Sequence, residues 1–150
     1  MQAINRRVVR LGDDRMDSDH EMLVRLAEQI DALLSGSGNT TTISSKLVAL
    51  YRLAEDHFSY EDTLMAGIPD GRHQAHIALH QERHAQFITV VMAISARAKS
   101  YEPVAVLRDM YGGVLSSLLG EMLGLDAELV DIVAGERREA ADHTVRTAAG

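Results

Sequence analysis

The chain has 150 residues, 46% hydrophobic and 25% charged, with a formal net charge of −7 and no cysteine. That length suits one domain with a sizeable core, and the composition is globular rather than disordered. The acidic balance argues against a nucleic-acid groove or an anionic lipid surface, no apolar run approaches the roughly 20 residues of a membrane span, and any metal site must use N and O donors rather than thiolates.

Residues 1–15 are expected to form an arm packed on the rest. Met1 to Arg15 lacks the apolar stretch of a secretory signal, so a cytoplasmic location is expected. A first helix is predicted from about Ser18 to Ser35, with His20, Leu23, Ala27, Ile30 and Leu34 on one face. Asp17 or Ser18 can cap its start, and Gly36 ends it. After a loop at Gly36-Ser37-Gly38-Asn39, a second helix runs from about Thr42 to Ala66, with Leu50, Leu53, His57, Glu61 and Leu64 in phase. Gly67-Ile68-Pro69-Asp70-Gly71 is a tight break. The third helix runs from about Arg72 to Lys99, with His76, His80, His84, Phe87, Val91 and Ile94 in phase. A fourth begins near Glu102-Pro103, where proline suits a first turn, and continues to about Val133. Gly112-Gly113 is a candidate kink in it. The tail, 134–150, is charged and rich in small residues, either a docked helix or a frayed end.

No sustained two-residue alternation appears, and the loops are short. The expected fold is all-α, an antiparallel up-down-up-down four-helix bundle over residues 16–133. Leu23, Ile30, Leu50, Leu53, Phe87 and Val91 are its expected core. Met22, Met65, Met92, Met110 and Met122 are expected as gap-fillers, and Glu128 belongs to an ordinary solvated face.

Metal-ligand side chains recur at helical spacing. His57 and Glu61 are four apart, as are His76 and His80, so each pair lies on one face of a helix. Together with His20 and Asp126 they make six polar groups on inward faces. Each costs roughly 1–3 kcal/mol if buried without a partner, and metal binding accounts for all of them together.

These residues resemble those of the hemerythrins, especially the bacterial hemerythrins and hemerythrin-like domains, over roughly Met16 to Val133. Asp17-x-x-His20 followed by Leu23 is similar to that family's first-helix motif. His57-Phe58-Ser59-Tyr60-Glu61-Asp62 is similar to its His-Phe-x-x-Glu-Glu, His76-x-x-x-His80 to its third-helix pair, and Asp126 to its fourth-helix aspartate. The resemblance implies two iron ions, bridged by carboxylates and an oxo or hydroxo group. His20 and His57 would bind one, His76 and His80 the other, and Glu61 and Asp126 both. It implies binding of O2 or a related ligand such as NO or peroxide, with a carrier, sensor or peroxide- or NO-reactive role.

One position departs from the pattern. The family places a histidine five residues before the fourth-helix aspartate, and this chain has Glu121. As a ligand, Glu121 would add negative charge and favour ferric iron, making the site more readily oxidised and shifting its role toward O2 or redox sensing. Against this, five residues turn an ideal α-helix by about 140° net, so Glu121 and Asp126 do not share a face on one. The third-helix register is also open, because His84 lies one turn beyond His80. Helix-rise counting from the 67–71 break favours His76/His80 over His80/His84, leaving His84 as an extra inward histidine.

The alternative is a structural or signalling bundle with a degenerate or mononuclear metal site. A ferritin-like iron oxidase needs Glu-x-x-His, which is missing. A phosphotransfer histidine would leave the paired spacings unexplained.

Overall fold

The computed structural model describes residues 10–36 and 38–149, so most of the expected arm, together with Ser37 and Gly150, lies outside the described residues. Among the described residues five α-helices follow in order: α1 (Asp14–Ser35), α2 (Thr40–Ala66), α3 (Gln74–Lys99), α4 (Val104–Glu121) and α5 (Ala127–Ala148). A five-residue π-helical turn, Met122–Asp126, joins α4 to α5 without a loop, so these two make one rod. Among the described residues there is no strand. α1 and α3 each pack on α2 and on α4, which closes the four rods into the expected antiparallel bundle.

Side-chain caps set the starts of α1 and α2. α1 begins before Ser18 because Asp13 is its cap, accepting a hydrogen bond from the Met16 amide at 3.0 Å. Asp17, one of the expected caps, is instead buried. It accepts from the amides of Leu11 at 2.6 Å and Gly12 at 3.2 Å, which ties the incoming chain to the bundle. Asn39 caps α2 through the Thr42 amide at 2.8 Å. Gly38 has no room for a side chain, since a Cβ there would lie 2.7 Å from the Leu33 carbonyl oxygen. The expected irregularity at Gly112-Gly113 falls later in the rod, at the π-turn, and α5 runs on past Val133 with residues 137–149 exposed.

The apolar core forms two clusters. The larger includes Leu23, Ile30, Leu50, Phe87, Val91, Ile94, Leu107 and Tyr111. The smaller caps the end of the bundle near the α2–α3 loop with Met65, Ile68 and Leu129. Met65 and Met122 are buried, whereas Met22 and Met92 are exposed rather than filling gaps. They occupy outward positions of α1 and α3, where an unbranched apolar side chain is tolerated singly.

Polar contacts tie the rods together. Tyr111, buried in the core, donates to the Ala27 carbonyl of α1 at 2.7 Å. Arg108 donates to Leu34 O at 2.8 and 2.6 Å, covering a free carbonyl at the α1 C-terminus. Tyr111→Phe keeps the ring and removes one buried hydrogen bond. It should cost about 1 kcal/mol, read as a fall of roughly 2–4 °C in the thermal midpoint, with no change in helical content.

Candidate metal centre

Every rod sends polar side chains inward at one level, between the two apolar clusters. α1 supplies His20, α2 supplies His57 and Glu61, α3 supplies His76, His80 and His84, and the fourth rod supplies Glu121 and Asp126. All eight are buried, and His20, Glu61 and His80 have no exposed surface.

Two groups of donor atoms form, each with its members within 4.8 Å of one another: His20, His57, Glu61 and Asp126, and Glu61, His80, His84 and Asp126. The shared carboxylates divide their oxygens between the groups. Glu61 Oε1 lies 3.4 Å from His57 Nε2, while Glu61 Oε2 lies 3.4 Å from His80 Nε2 and 2.8 Å from His84 Nε2. Asp126 Oδ2 lies 3.1 Å from His20 Nε2, and its Oδ1 lies 2.9 Å from His80 Nε2. One oxygen of each carboxylate therefore faces each group.

Five of the seven residues singled out in the sequence converge here, and His84 joins them. His76 and Glu121 sit beside these groups rather than in them. His76 Nδ1 is 3.3 Å from Glu128 Oε2, and its Nε2 is 3.2 Å from His80 Nδ1. Glu121 is buried, with Oε1 lacking a partner. The angular objection to Glu121 is removed by the π-turn. In an i→i+5 turn, residues five apart stand one above the other, so Glu121 and Asp126 both face inward.

Asp19 has no metal-ligand spacing of its own, but its position before His20 turns it toward α2, where its Oδ2 lies 3.4 Å from His57 Nδ1. That contact leaves His57 Nε2 for the centre. Glu128, expected to be solvated, is largely exposed yet touches His76. Tyr60 points away from the centre and donates to Asp13 at 2.9 Å. Two surface grooves reach the site. One, of about 750 Å³, is lined by Phe58, Ser59, Asp62 and His84. The other, of about 440 Å³, is lined by Arg83, Gly120, Glu121 and Gly124.

The electrostatics are those of a buried layer of acids and imidazoles. Burial alone would raise the Glu61 pKa, but His57, His80 and His84 outweigh it and hold the carboxyl far below its usual range. Asp126 is likewise lowered, against burial, by His20 and His80. Burial works to lower His80, yet Asp126 and Glu61 raise it to about 9. Glu121 is pushed up to about 7, first by burial and then by the Asp126 charge.

Whether a metal fits is decided by unpaired atoms. Among the described residues, the buried side-chain nitrogens and oxygens without a hydrogen-bond partner all belong to His20, Glu61, His76, His84 and Glu121. Proteins rarely leave such groups unpaired, and here His20, Glu61 and His84 belong to two sets of converging imidazole and carboxylate donors. The residues fit a cation site.

In the metal-free protein, His80 with a raised pKa contributes stability below its unfolded value near 6.5, lost as pH rises through about 9. Glu121 adds a penalty with the same sign, growing as pH climbs from about 4.5 past about 7. Metal-free protein should therefore melt about 5 °C or more lower at pH 9 than at pH 6. Glu121→Gln should remove the part of the fall below pH 7. Metal affinity should rise over the same window, since binding displaces protons. Thermal melts with and without chelator read both.

The family model for the Hemerythrin HHE cation binding domain matches residues 11–141, a span that includes every residue of the site. No curated protein and no solved structure matches the chain. A helical bundle with two carboxylate-sharing groups of candidate donor atoms agrees with that match, and the chain belongs to the hemerythrin HHE cation-binding family.

Proposed function

We propose that this chain is a non-haem diiron protein that binds O2 or a related small ligand such as NO or peroxide. The observation that carries the reading is the division of Glu61 and Asp126, one oxygen of each toward each histidine group. A pair of like cations in a buried site needs anionic oxygen to offset their repulsion, and these carboxylates would supply it. His20 and His57 would hold one iron. His80 would hold the other, with His76 and Glu121 as further candidates. When bound, such a pair supplies redox chemistry and a coordination position open to a small ligand.

The protein's own contribution is to hold the donors and keep the site dry. Asp19 orients His57 through Nδ1. The apolar clusters above and below exclude bulk water, while the Phe58 and Gly120 grooves are the routes by which a small ligand approaches. Glu121 places a third carboxyl beside two already ionised ones, which favours the more oxidised metal. That tilts the role from stable O2 carriage toward sensing of O2 or redox state.

Purified protein should contain about two irons per chain by elemental analysis, with absorption that changes between the ferric, ferrous and O2-exposed forms. One metal or none would leave a structural or interaction bundle. Glu121→His should raise the midpoint potential by about 60 mV or more, a tenfold shift in a one-electron equilibrium. A potential unchanged by that substitution would remove Glu121 from the site.

A further inference from the structure

We infer that the second metal position uses His80 and His84, one turn further along α3 than the expected pair, with His76 outside the coordination sphere. The inference rests on the diiron reading above and assigns ligands within it. His84 Nε2 lies 2.8 Å from Glu61 Oε2, and His84, His80, Glu61 and Asp126 all offer donor atoms within 4.8 Å of one another. Donors about 2.1 Å from one ion stand at most about 4.2 Å apart, so the group needs only a small contraction to close on a cation.

The ring of His84 is already oriented. It stacks on Phe58, with centroids 3.8 Å apart and planes 9° from parallel, and meets His80 edge-on at 4.5 Å. Both of its nitrogens are buried without a hydrogen-bond partner. Nε2 is directed at Glu61 Oε2, which also faces His80, and a metal ion among these donors would satisfy the imidazole.

His76 is placed differently. Its Nε2 is 3.2 Å from His80 Nδ1, its Nδ1 faces Glu128 on the outer side of α5, and it belongs to neither donor group. Side-chain direction explains why. Side chains lean toward the N-terminus of their own helix. On antiparallel α2 and α3, Glu61 leans away from the connecting loop and His84 leans toward it, so the two approach. His76 leans toward the loop as well, which carries it away from Glu61. With glutamate at position 121, His84 also restores to this half of the site a nitrogen that the fourth rod does not offer.

The test is to load metal-free full-length protein anaerobically with Co(II), count bound cobalt by elemental analysis, and measure both affinities by titration. Wild type should bind two. His84→Ala and His84→Gln should each bind about one, or lose at least tenfold in affinity at one position, with helical content and melting cooperativity retained. His76→Ala should still bind two, with affinities within about threefold of wild type. Loss of a cobalt from His76→Ala while both His84 variants keep two would overturn the inference. So would loss from both sets, or from neither. A wild type that binds fewer than two refutes the two-metal reading itself, a result distinct from any pattern among the variants.

Discussion

Two buried carboxylates, Glu61 and Asp126, organise this molecule. Each has imidazoles from different rods at its two oxygens: Glu61 faces His57 on one side and His80 and His84 on the other, and Asp126 faces His20 and His80. An ionised carboxylate in a protein interior is costly unless charge or hydrogen bonds compensate it. The compensation here comes from α1, α2 and α3 together, so the position of each rod is linked to the others through two side chains. The lowered pKa values of both acids and the raised value of His80 are aspects of one network.

Placement within the bundle makes that network possible. The larger apolar cluster lies on one side, and Met65, Ile68 and Leu129 close the other. A polar layer between two dry layers is screened little by solvent, which strengthens attraction between opposite charges and equally raises the cost of an unmatched one. Glu121 is the unmatched member. Its carboxyl is buried beside Asp126, and burial moves it toward neutrality near pH 7.

Much of this could be read from residue spacing. The buried face of α3 is the phase His76, His80, His84, Phe87, Val91 and Ile94, because a 3.6-residue period is imposed by packing. His57 and Glu61 point to one side for the same reason. What spacing could not supply depends on neighbours distant in sequence. Counting helical rise fixes the height of a Cα but not the lean of a side chain, so it sets His80 near Glu61 and favours His76 over His84 as its partner. The Phe58 ring beneath His84 and the Glu128 carboxylate beside His76 are contacts between rods. Asp19 carries no recurring spacing of its own; its place beside His20 is the signal the sequence offers for its contact with His57. The start of α1 shifted because Asp13, Asp17 and Ser18 are all competent caps, and the tie from Asp17 to Leu11 and Gly12 engaged one of the three elsewhere.

The π-turn at Met122–Asp126 has a consequence for how chains of this kind compare with one another. An i→i+5 turn spends one more residue than an α-turn on the same circuit of the axis. The helix on either side therefore keeps the directions it would have in an unbroken α-helix one residue shorter. A chain with four positions between the two acids and a chain with three can present the same pair of carboxyls and the same seat for Leu129. Aligned without a gap, two such chains would be matched correctly through Glu121 and wrongly at every residue of α5. One inserted residue, silent in the fold on both flanks, would register as a change across the last 22-residue helix.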